Sequence, residues 1–156
     1  MDITISSELQ QRIFAHLEAA YPNEGGGFLF GAAHGGTTTL AEAEIVENQF
    51  AADEQWHRYA MKPLDWARLE DDAEARGLAL VGYYHSHPNA RAIPSVYDRD
   101  HALPNFIYLI TQIAAGPSAV EQRAWLLRPN RESFDELRLV IQPSASERRA
   151  DEPPVV

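Results

Sequence analysis

Two histidines and one aspartate are the residues of this sequence whose types and spacing best suit chemistry. His85 and His87 follow an apolar segment rich in β-forming residues, Leu78 to Tyr84, and Asp98 comes eleven residues after His87. Because successive side chains of a strand point to opposite faces, two histidines at this spacing project from the same side. Two imidazoles and one carboxylate, with a fourth position left to water, are the ligand set of a catalytic zinc site.

Each part of this pattern also has a simpler structural explanation. A His-x-His pair on a strand is more often structural than metal-binding. Ser95-x-x-Asp98 is also a capping box, in which the serine caps a helix and the aspartate returns a hydrogen bond. The combination is harder to explain this way, because a strand, two histidines, the strand-ending Pro88, a serine and an aspartate follow in order. We therefore interpret the segment from Val81 to Ala102 as the centre of a functional site.

In order and spacing, these residues resemble the signature of the JAMM (MPN-plus) zinc metalloproteases, in the bacterial single-domain form. Counted from His87, Ser95 stands at plus eight and Asp98 at plus eleven, as in that family. The resemblance implies a Zn²⁺ ion held by His85, His87 and Asp98. Ser95 is expected to donate its hydroxyl to the developing oxyanion. Its lone pair could still accept a hydrogen bond from the helix.

A glutamate far upstream completes the set. In the JAMM family a glutamate opens a glycine-rich strand that ends in Leu-x-Gly, and Glu24, Leu29 and Gly31 occupy those places here. The resemblance implies that Glu24 acts as general base and then as general acid. A lone glutamate at a strand start is otherwise usually solvated. The glycines could suggest a phosphate-binding loop, but its Gly-Lys-Ser/Thr ending is absent, and close approach of another backbone explains them better.

The composition is that of one ordinary globular domain of 156 residues, 45% hydrophobic and 23% charged. A net charge of −10 and a single lysine, Lys62, argue against nucleic acid as a partner. The absence of cysteine excludes disulfides and Cys-ligated zinc, and with them a zinc deaminase, which needs a Cys-x-x-Cys pair. Without a signal-peptide pattern or an apolar run of about 20 residues, we expect a cytoplasmic protein with no membrane partner.

The order of predicted elements indicates an α/β fold with a single mixed β-sheet flanked by helices. Leu9, Ile13 and Leu17 recur at helical spacing and predict a helix from Ser7 to Ala20. The resemblance implies the MPN/JAMM fold, which is related to the cytidine-deaminase architecture. We assign residues 1–142 to the metalloprotease domain and expect residues 143–156 to form a disordered tail. The predicted strands are Ile3–Ile5, Phe28–Gly31, Thr37–Glu47, Leu78–Tyr84, Phe106–Ile113, Val120–Leu127 and Phe134–Ile141, and the second helix is Leu64–Arg76.

The remaining histidines are weaker candidates for metal ligands. His101 lies three residues past Asp98 on the same helical face, where it could compete as a ligand or support one. His16 lies beside the apolar stripe of the first helix and is interpreted as packing or surface. His34 and His57 lie in turns and are expected to be solvated.

The resemblance implies hydrolysis of the peptide or isopeptide bond after the C-terminal Gly-Gly of a ubiquitin-like or sulfur-carrier protein. Tyr108 follows Asp98 by only ten positions, so the second large insertion of specialised relatives is absent and a compact, less selective peptidase is expected. We expect the loop from Gln49 to His57 to form a wall of the substrate groove, with Phe50 or Trp56 as the side chain that contacts the substrate. The alternative is a non-catalytic MPN-type scaffold, against which the complete set of metal and catalytic residues argues.

Overall fold

The computed structural model describes residues 1–46 and 63–143, which form a closed β-sheet with helices packed against it. The predicted groove wall, Gln49 to His57, lies outside the described residues, as does the predicted tail, residues 143–156, apart from Pro143. No helix of the described ranges is both long enough and apolar enough to cross a membrane. In chain order the elements are β1 (Asp2–Ser6), α1 (Ser7–Ala20), β2 (Gly26–His34), β3 (Thr37–Val46), α2 (Pro63–Ala75), β4 (Ala79–Pro88), α3 (Val96–His101), β5 (Ile107–Ala114), β6 (Ser118–Leu127) and β7 (Phe134–Gln142).

The strands lie in the order β1-β3-β2-β4-β5-β6-β7, and β7 pairs with β1 to close the sheet into a barrel. The pairs β1–β3, β1–β7 and β4–β5 are parallel, and the other neighbours are antiparallel. The predicted α/β fold with a single mixed sheet and flanking helices is therefore confirmed. Closure is an added feature, and it results from the N-terminal strand pairing with partners on both of its sides.

Both faces of β2 are buried, because a long helix packs on each side of this strand. Phe28, Leu29 and Phe30 alternate between the two faces and are all fully buried. Leu29 packs in the cluster that includes the apolar stripe of α1, whereas the two phenylalanines pack with Leu69 and Ala73 of α2. The continuous apolar run of β2 follows from burial on both sides.

The observed bounds of the helices agree closely with those predicted from local sequence signals. Helix α1 covers Ser7–Ala20 as predicted, and its N-cap is Ser6, whose side chain accepts a hydrogen bond from the Leu9 N–H at 3.1 Å. Helix α2 begins one residue before the predicted start, and Gly77 follows it with a φ of 71°. Helix α3 begins at Val96, directly after its N-cap Ser95, the residue that the capping-box pattern marks as a helix cap.

The glycines that open β2 are required by atoms of the neighbouring strands. A Cβ on Gly27 would lie 2.3 Å from the carbonyl oxygen of Glu44 and 2.6 Å from the Tyr84 ring. A Cβ on Gly26 would lie 2.3 Å from the Tyr83 hydroxyl oxygen and 2.9 Å from the Tyr84 carbonyl oxygen. The predicted close approach of another backbone is confirmed, with two tyrosine rings adding to it.

We expect Gly27→Ala to lower the free energy of unfolding by about 1–3 kcal/mol, because a methyl group there overlaps a backbone carbonyl that pairing in the sheet keeps in place. Urea denaturation followed by circular dichroism measures the change. Thr39→Ala, at an exposed position of β3, is the control and is expected to stay within about 0.5 kcal/mol of the unchanged protein. Equal stability of the two variants would contradict the close contact.

Candidate metal centre

Strand β4 lies inside the sheet and places both histidines on one face near its end. His85 is opposite Gly26 of β2 and Ile110 of β5, and His87 is opposite Gln112. The centroids of the two imidazole rings are 5.1 Å apart, and both residues are less than 10% exposed (9% and 8%). The predicted shared face is therefore observed, and it is nearly closed to solvent.

Helix α3 brings Asp98 back over these rings through its first turn. The Ser95 hydroxyl oxygen accepts from the Asp98 N–H at 3.0 Å, and the Ser95 N–H donates to Asp98 Oδ2 at 2.9 Å. The same carboxylate lies 3.3 Å (Oδ1) from His85 Nε2 and 3.0 Å (Oδ2) from His87 Nε2. The capping box and the cluster with the histidines, which the sequence presented as alternatives, are both present.

The three side chains fit a divalent cation. One nitrogen or oxygen atom from each lies within 4.8 Å of the others, and ligands of tetrahedral zinc are about 3.4 Å apart. His85 Nε2 is buried and has no hydrogen-bond partner among the described residues. A buried polar atom without a partner is costly, and a metal ion would provide that partner. Imidazole and carboxylate donors suit zinc.

The second histidine is held in the tautomer that a metal ligand needs. His87 Nδ1 lies 2.8 Å from the carbonyl oxygen of Arg91, which can only accept a hydrogen bond, so Nδ1 carries the proton. In the neutral ring Nε2 then presents a lone pair toward the Asp98 carboxylate. A lone pair facing a carboxylate is unfavourable unless a positive charge lies between them, so this arrangement favours binding of a cation.

The charges of the cluster also favour binding of a cation. Burial alone raises the pKa of Asp98, but the facing His85 and His87, together with the Ser95 N–H, outweigh it and hold that pKa far below its usual range. Burial lowers the pKa of His87, whereas the hydrogen bonds with Asp98 and with the Arg91 carbonyl raise it more, for a net increase. The site therefore stabilises positive charge beside an ionised carboxylate.

Glu24 is brought to the cluster by the residue that follows it. The Gly25 N–H donates to the Ser86 hydroxyl oxygen at 2.9 Å, and the Ser86 N–H donates to the Gly25 carbonyl at 3.1 Å. Extending the β2–β4 pairing by two residues places Glu24 level with His87. Ser86 was not recognised from the sequence, although a serine between two histidines of one strand must point to the opposite, buried face and needs a partner there.

The environment of Glu24 suits a group that takes up and gives back a proton. Burial raises its pKa, His85 and His87 lower it, and Asp98 raises it, so that the net pKa lies above the usual value of a glutamate. The charges of all three neighbours therefore contribute to the pKa of Glu24. A pKa moved toward neutrality improves both halves of general acid–base catalysis.

A largely apolar cavity of about 250 Å³ lies beside Ser95. Its walls include Ile93 from the loop before α3, Val96 as the first residue of α3, and Trp125 and Phe134 from β6 and β7. Ser95 thus borders both the cavity and the helix cap that holds Asp98. Within the described residues, this cavity is a candidate substrate groove, and it lies on the side of the metal cluster where α3 begins.

The other histidines lie elsewhere. His101 Nδ1 lies 2.8 Å from the Tyr97 carbonyl oxygen, and its ring packs on the Tyr97 ring, outside the metal-ligand group. His16 Nδ1 lies 2.8 Å from the Tyr84 hydroxyl, and burial lowers its pKa, which agrees with a packing role. His34 is exposed at the end of β2, as predicted, and His57 lies outside the described residues.

Residues 6–128 match the model of a family described as prokaryotic homologs of the JAB domain. A desampylase of Haloferax volcanii is 36% identical over 73 residues, which are 46% of this chain and 51% of that protein. The chain therefore spans about half the length of this curated relative. The matched family range contains all the candidate site residues, namely Glu24, His85, His87, Ser95 and Asp98.

Two solution structures have a similar fold. Protein DSY2949 from Desulfitobacterium hafniense has a TM-score of 0.70 at 25% identity, covering 91% of this chain and 94% of that chain. A protein from Salinibacter ruber has a TM-score of 0.66 at 31% identity, covering 99% of this chain and 95% of that one. The similarity thus extends over the domain and is not confined to the motif.

Proposed function

The chain belongs to the family of prokaryotic JAB-domain homologues, and from this membership we propose that it is a zinc-dependent isopeptidase. Its proposed reaction is hydrolysis of the peptide or isopeptide bond that follows the C-terminal Gly-Gly of a ubiquitin-like or sulfur-carrier protein. The observation that carries the proposal is the convergence of His85, His87 and Asp98, with a buried ring nitrogen that lacks a hydrogen-bond partner in the described residues. The partial similarity to a desampylase supports isopeptidase action on such a modifier.

In this proposal His85, His87 and Asp98 hold the ion. When bound, the cation supplies Lewis acidity, which polarises the scissile carbonyl and makes a water molecule acidic near neutral pH. The chain itself keeps His87 oriented, through the Arg91 carbonyl, and keeps the aspartate ionised. The burial of the cluster strengthens these electrostatic effects.

Glu24 moves the proton. Its carboxylate takes a proton from the attacking water and later delivers it to the leaving nitrogen. Because its raised pKa brings the two protonation states closer in energy near neutral pH, the same group can serve in both steps. The next residue, Gly25, is hydrogen-bonded to Ser86, so the backbone of Glu24 is held beside β4.

Ser95 supports the carbonyl oxygen as negative charge develops on it. Its oxygen accepts from the Asp98 N–H, which leaves the hydroxyl proton to donate, and its side chain is exposed beside the cavity. Capping and oxyanion stabilisation are therefore compatible in one hydroxyl group.

The proposed substrate class agrees with the small size of the site region. Only residues 102–106 connect α3 to β5, so this connection holds no large insertion that could grip a second protein. Glycines at the end of the substrate would pass a narrow channel that larger side chains could not enter. Low selectivity for the group beyond the scissile bond is therefore expected.

We expect Ser95→Ala to reduce turnover by about 10²–10³-fold, because it removes a donor to the oxyanion. Loss of the helix cap should also cost about 1 kcal/mol of stability. Steady-state kinetics and thermal unfolding, measured side by side, separate the two effects, and Ser95→Thr, which keeps a hydroxyl, is the control. A loss of stability with unchanged turnover would show that Ser95 only caps the helix.

The proposed function is tested by metal analysis together with a cleavage assay. The purified protein is incubated with fusions in which a small β-grasp protein ending in Gly-Gly precedes a second protein, joined through its N-terminus or through a lysine side chain. We expect about one zinc per chain and cleavage after Gly-Gly that stops with a chelator and returns with added Zn²⁺. Absence of both metal and cleavage would favour the scaffold alternative and overturn the proposal.

A further inference from the structure

The loop between β4 and α3, residues 89–95, is held at its midpoint by two side chains of β6. Ala92 is fully buried, and its N–H donates to Glu121 Oε1 at 3.0 Å. Its carbonyl oxygen accepts from Trp125 Nε1 at 3.0 Å. Both polar groups of one buried loop residue therefore depend on a strand that is separated from β4 by β5.

One peptide unit connects this anchor to the metal cluster. The carbonyl of Arg91 and the N–H of Ala92 belong to the same planar peptide group and point in opposite directions. The N–H bonds to Glu121, and the carbonyl oxygen accepts from His87 Nδ1 at 2.8 Å. A continuous path therefore runs from the Glu121 carboxylate through this peptide to the imidazole of His87.

We propose that Glu121 and Trp125 are positioning residues of the metal centre, which fix the peptide between residues 91 and 92 and thereby the orientation and tautomer of His87. The inference deepens the proposed function and rests on it. Partners of a metal-binding histidine orient its ring and raise its basicity. Here the partner is a peptide group, and Glu121 in turn orients and polarises that peptide.

The negative charge of Glu121 strengthens the chain of hydrogen bonds that leads to His87. Its hydrogen bond with Arg91, followed by the one with the Ala92 N–H, lowers the pKa of Glu121 to about 2, so it is ionised near neutral pH. A hydrogen bond to a carboxylate is stronger than one between neutral groups. Hydrogen bonds in a chain polarise each other, so the carboxylate makes the Arg91 carbonyl a better acceptor for His87.

The rest of the site region has few other means of fixing its position. Helix α3 has six residues, and none of them is buried, so its own side chains add little core packing. Its end is held by the buried Ala102, whereas its start, with Ser95 and Asp98, follows the anchored loop. Three residues lie side by side on β4, β5 and β6, namely His87, Gln112 and Glu121. Glu121 is therefore level with the end of β4, where the loop begins.

The test compares two glutamates that each accept a hydrogen bond from a backbone N–H. Glu121→Ala removes the anchor of Ala92, and Glu18→Ala, the matched control, removes an equivalent bond to the Ala119 N–H (2.9 Å) away from the loop. The dissociation constant for Zn²⁺ is measured by competition with a chromophoric chelator, and the visible spectrum of the Co²⁺ form reports coordination geometry. We expect Glu121→Ala to weaken zinc binding about 10-fold and to change the Co²⁺ spectrum, with Glu18→Ala unchanged in both.

Two milder variants keep the test decisive if Glu121→Ala does not fold. Glu121→Gln keeps an oxygen for the Ala92 N–H and should stay within about 3-fold of the unchanged protein, whereas Trp125→Phe, without the indole donor, should weaken zinc binding several-fold. Zinc affinities for Glu121→Ala or Trp125→Phe that equal that of Glu18→Ala would overturn the inference and leave the proposed function standing. Failure of the unchanged protein to bind Zn²⁺ would overturn both.

Discussion

Glu24→Gln is expected to keep its zinc and to lose about 10²–10⁴-fold in turnover. The amide is nearly the same size as the carboxylate and leaves His85, His87 and Asp98 in place, so metal binding should persist. It cannot accept a proton from water at neutral pH, so the proton-transfer step loses its catalyst. Zinc content of the purified variant and steady-state cleavage of a Gly-Gly fusion measure the two properties separately.

The control for this variant is Glu42→Gln on β3. Glu42 pairs with Arg76 at the surface, with both side chains nearly half exposed, and lies outside the metal cluster. Since exposed ion pairs contribute little, neither zinc content nor turnover should change. Loss of zinc from Glu24→Gln would show that Glu24 is a ligand and that the assignment of a base is wrong. Full turnover would remove Glu24 from the mechanism.

The parts of the fold that sequence analysis predicted well are those that local signals determine. Leu9, Ile13 and Leu17 have one helical period, and Ser6 can cap the helix that they define, so α1 follows from neighbouring residues alone. The strand, proline, loop and capped helix around the metal cluster are equally local. Their order along the chain was sufficient to place both histidines on one face and Asp98 above them.

Closure of the sheet could not be predicted in the same way. Residues Asp2–Ser6 pair with both β3 and β7, and the partner of Ile5 in β7 is Ile141, at the far end of the domain. Such pairing depends on the backbone, which is the same for every residue type, and on the packing of the entire barrel. A five-residue strand in which two isoleucines alternate with polar residues carries no signal that selects two partners over one.

The anchor of the loop was missed for a related reason. Glu121 and Trp125 contact backbone atoms of Ala92, and an alanine has no side-chain feature that would reveal such contacts. The two interpretations of Ser95-x-x-Asp98, in contrast, are both visible in the sequence. They coexist because Asp98 Oδ2 accepts from the Ser95 N–H while the same carboxylate faces both imidazoles.

His87→Ala is expected to release the metal and to reduce cleavage to background. Changes to the partners of a ligand alone cost about 10–100-fold in metal affinity, so loss of the ligand itself should cost more than about 100-fold. Isothermal titration with Zn²⁺ measures the affinity. Asp98 retains its hydrogen bonds to Ser95, so the start of α3 should remain folded, which circular dichroism can verify.

His101→Ala is the matched control, because His101 lies on the same short helix as Asp98 but bonds to the Tyr97 carbonyl. It should bind zinc and cleave substrate like the unchanged protein. Full retention of zinc by His87→Ala would contradict the ligand set. Loss of zinc from His101→Ala with retention in His87→Ala would move the site along α3, away from the strand. The comparison therefore tests whether β4 provides the metal ligands, a requirement shared by the roles proposed for Glu24, Ser95 and Glu121.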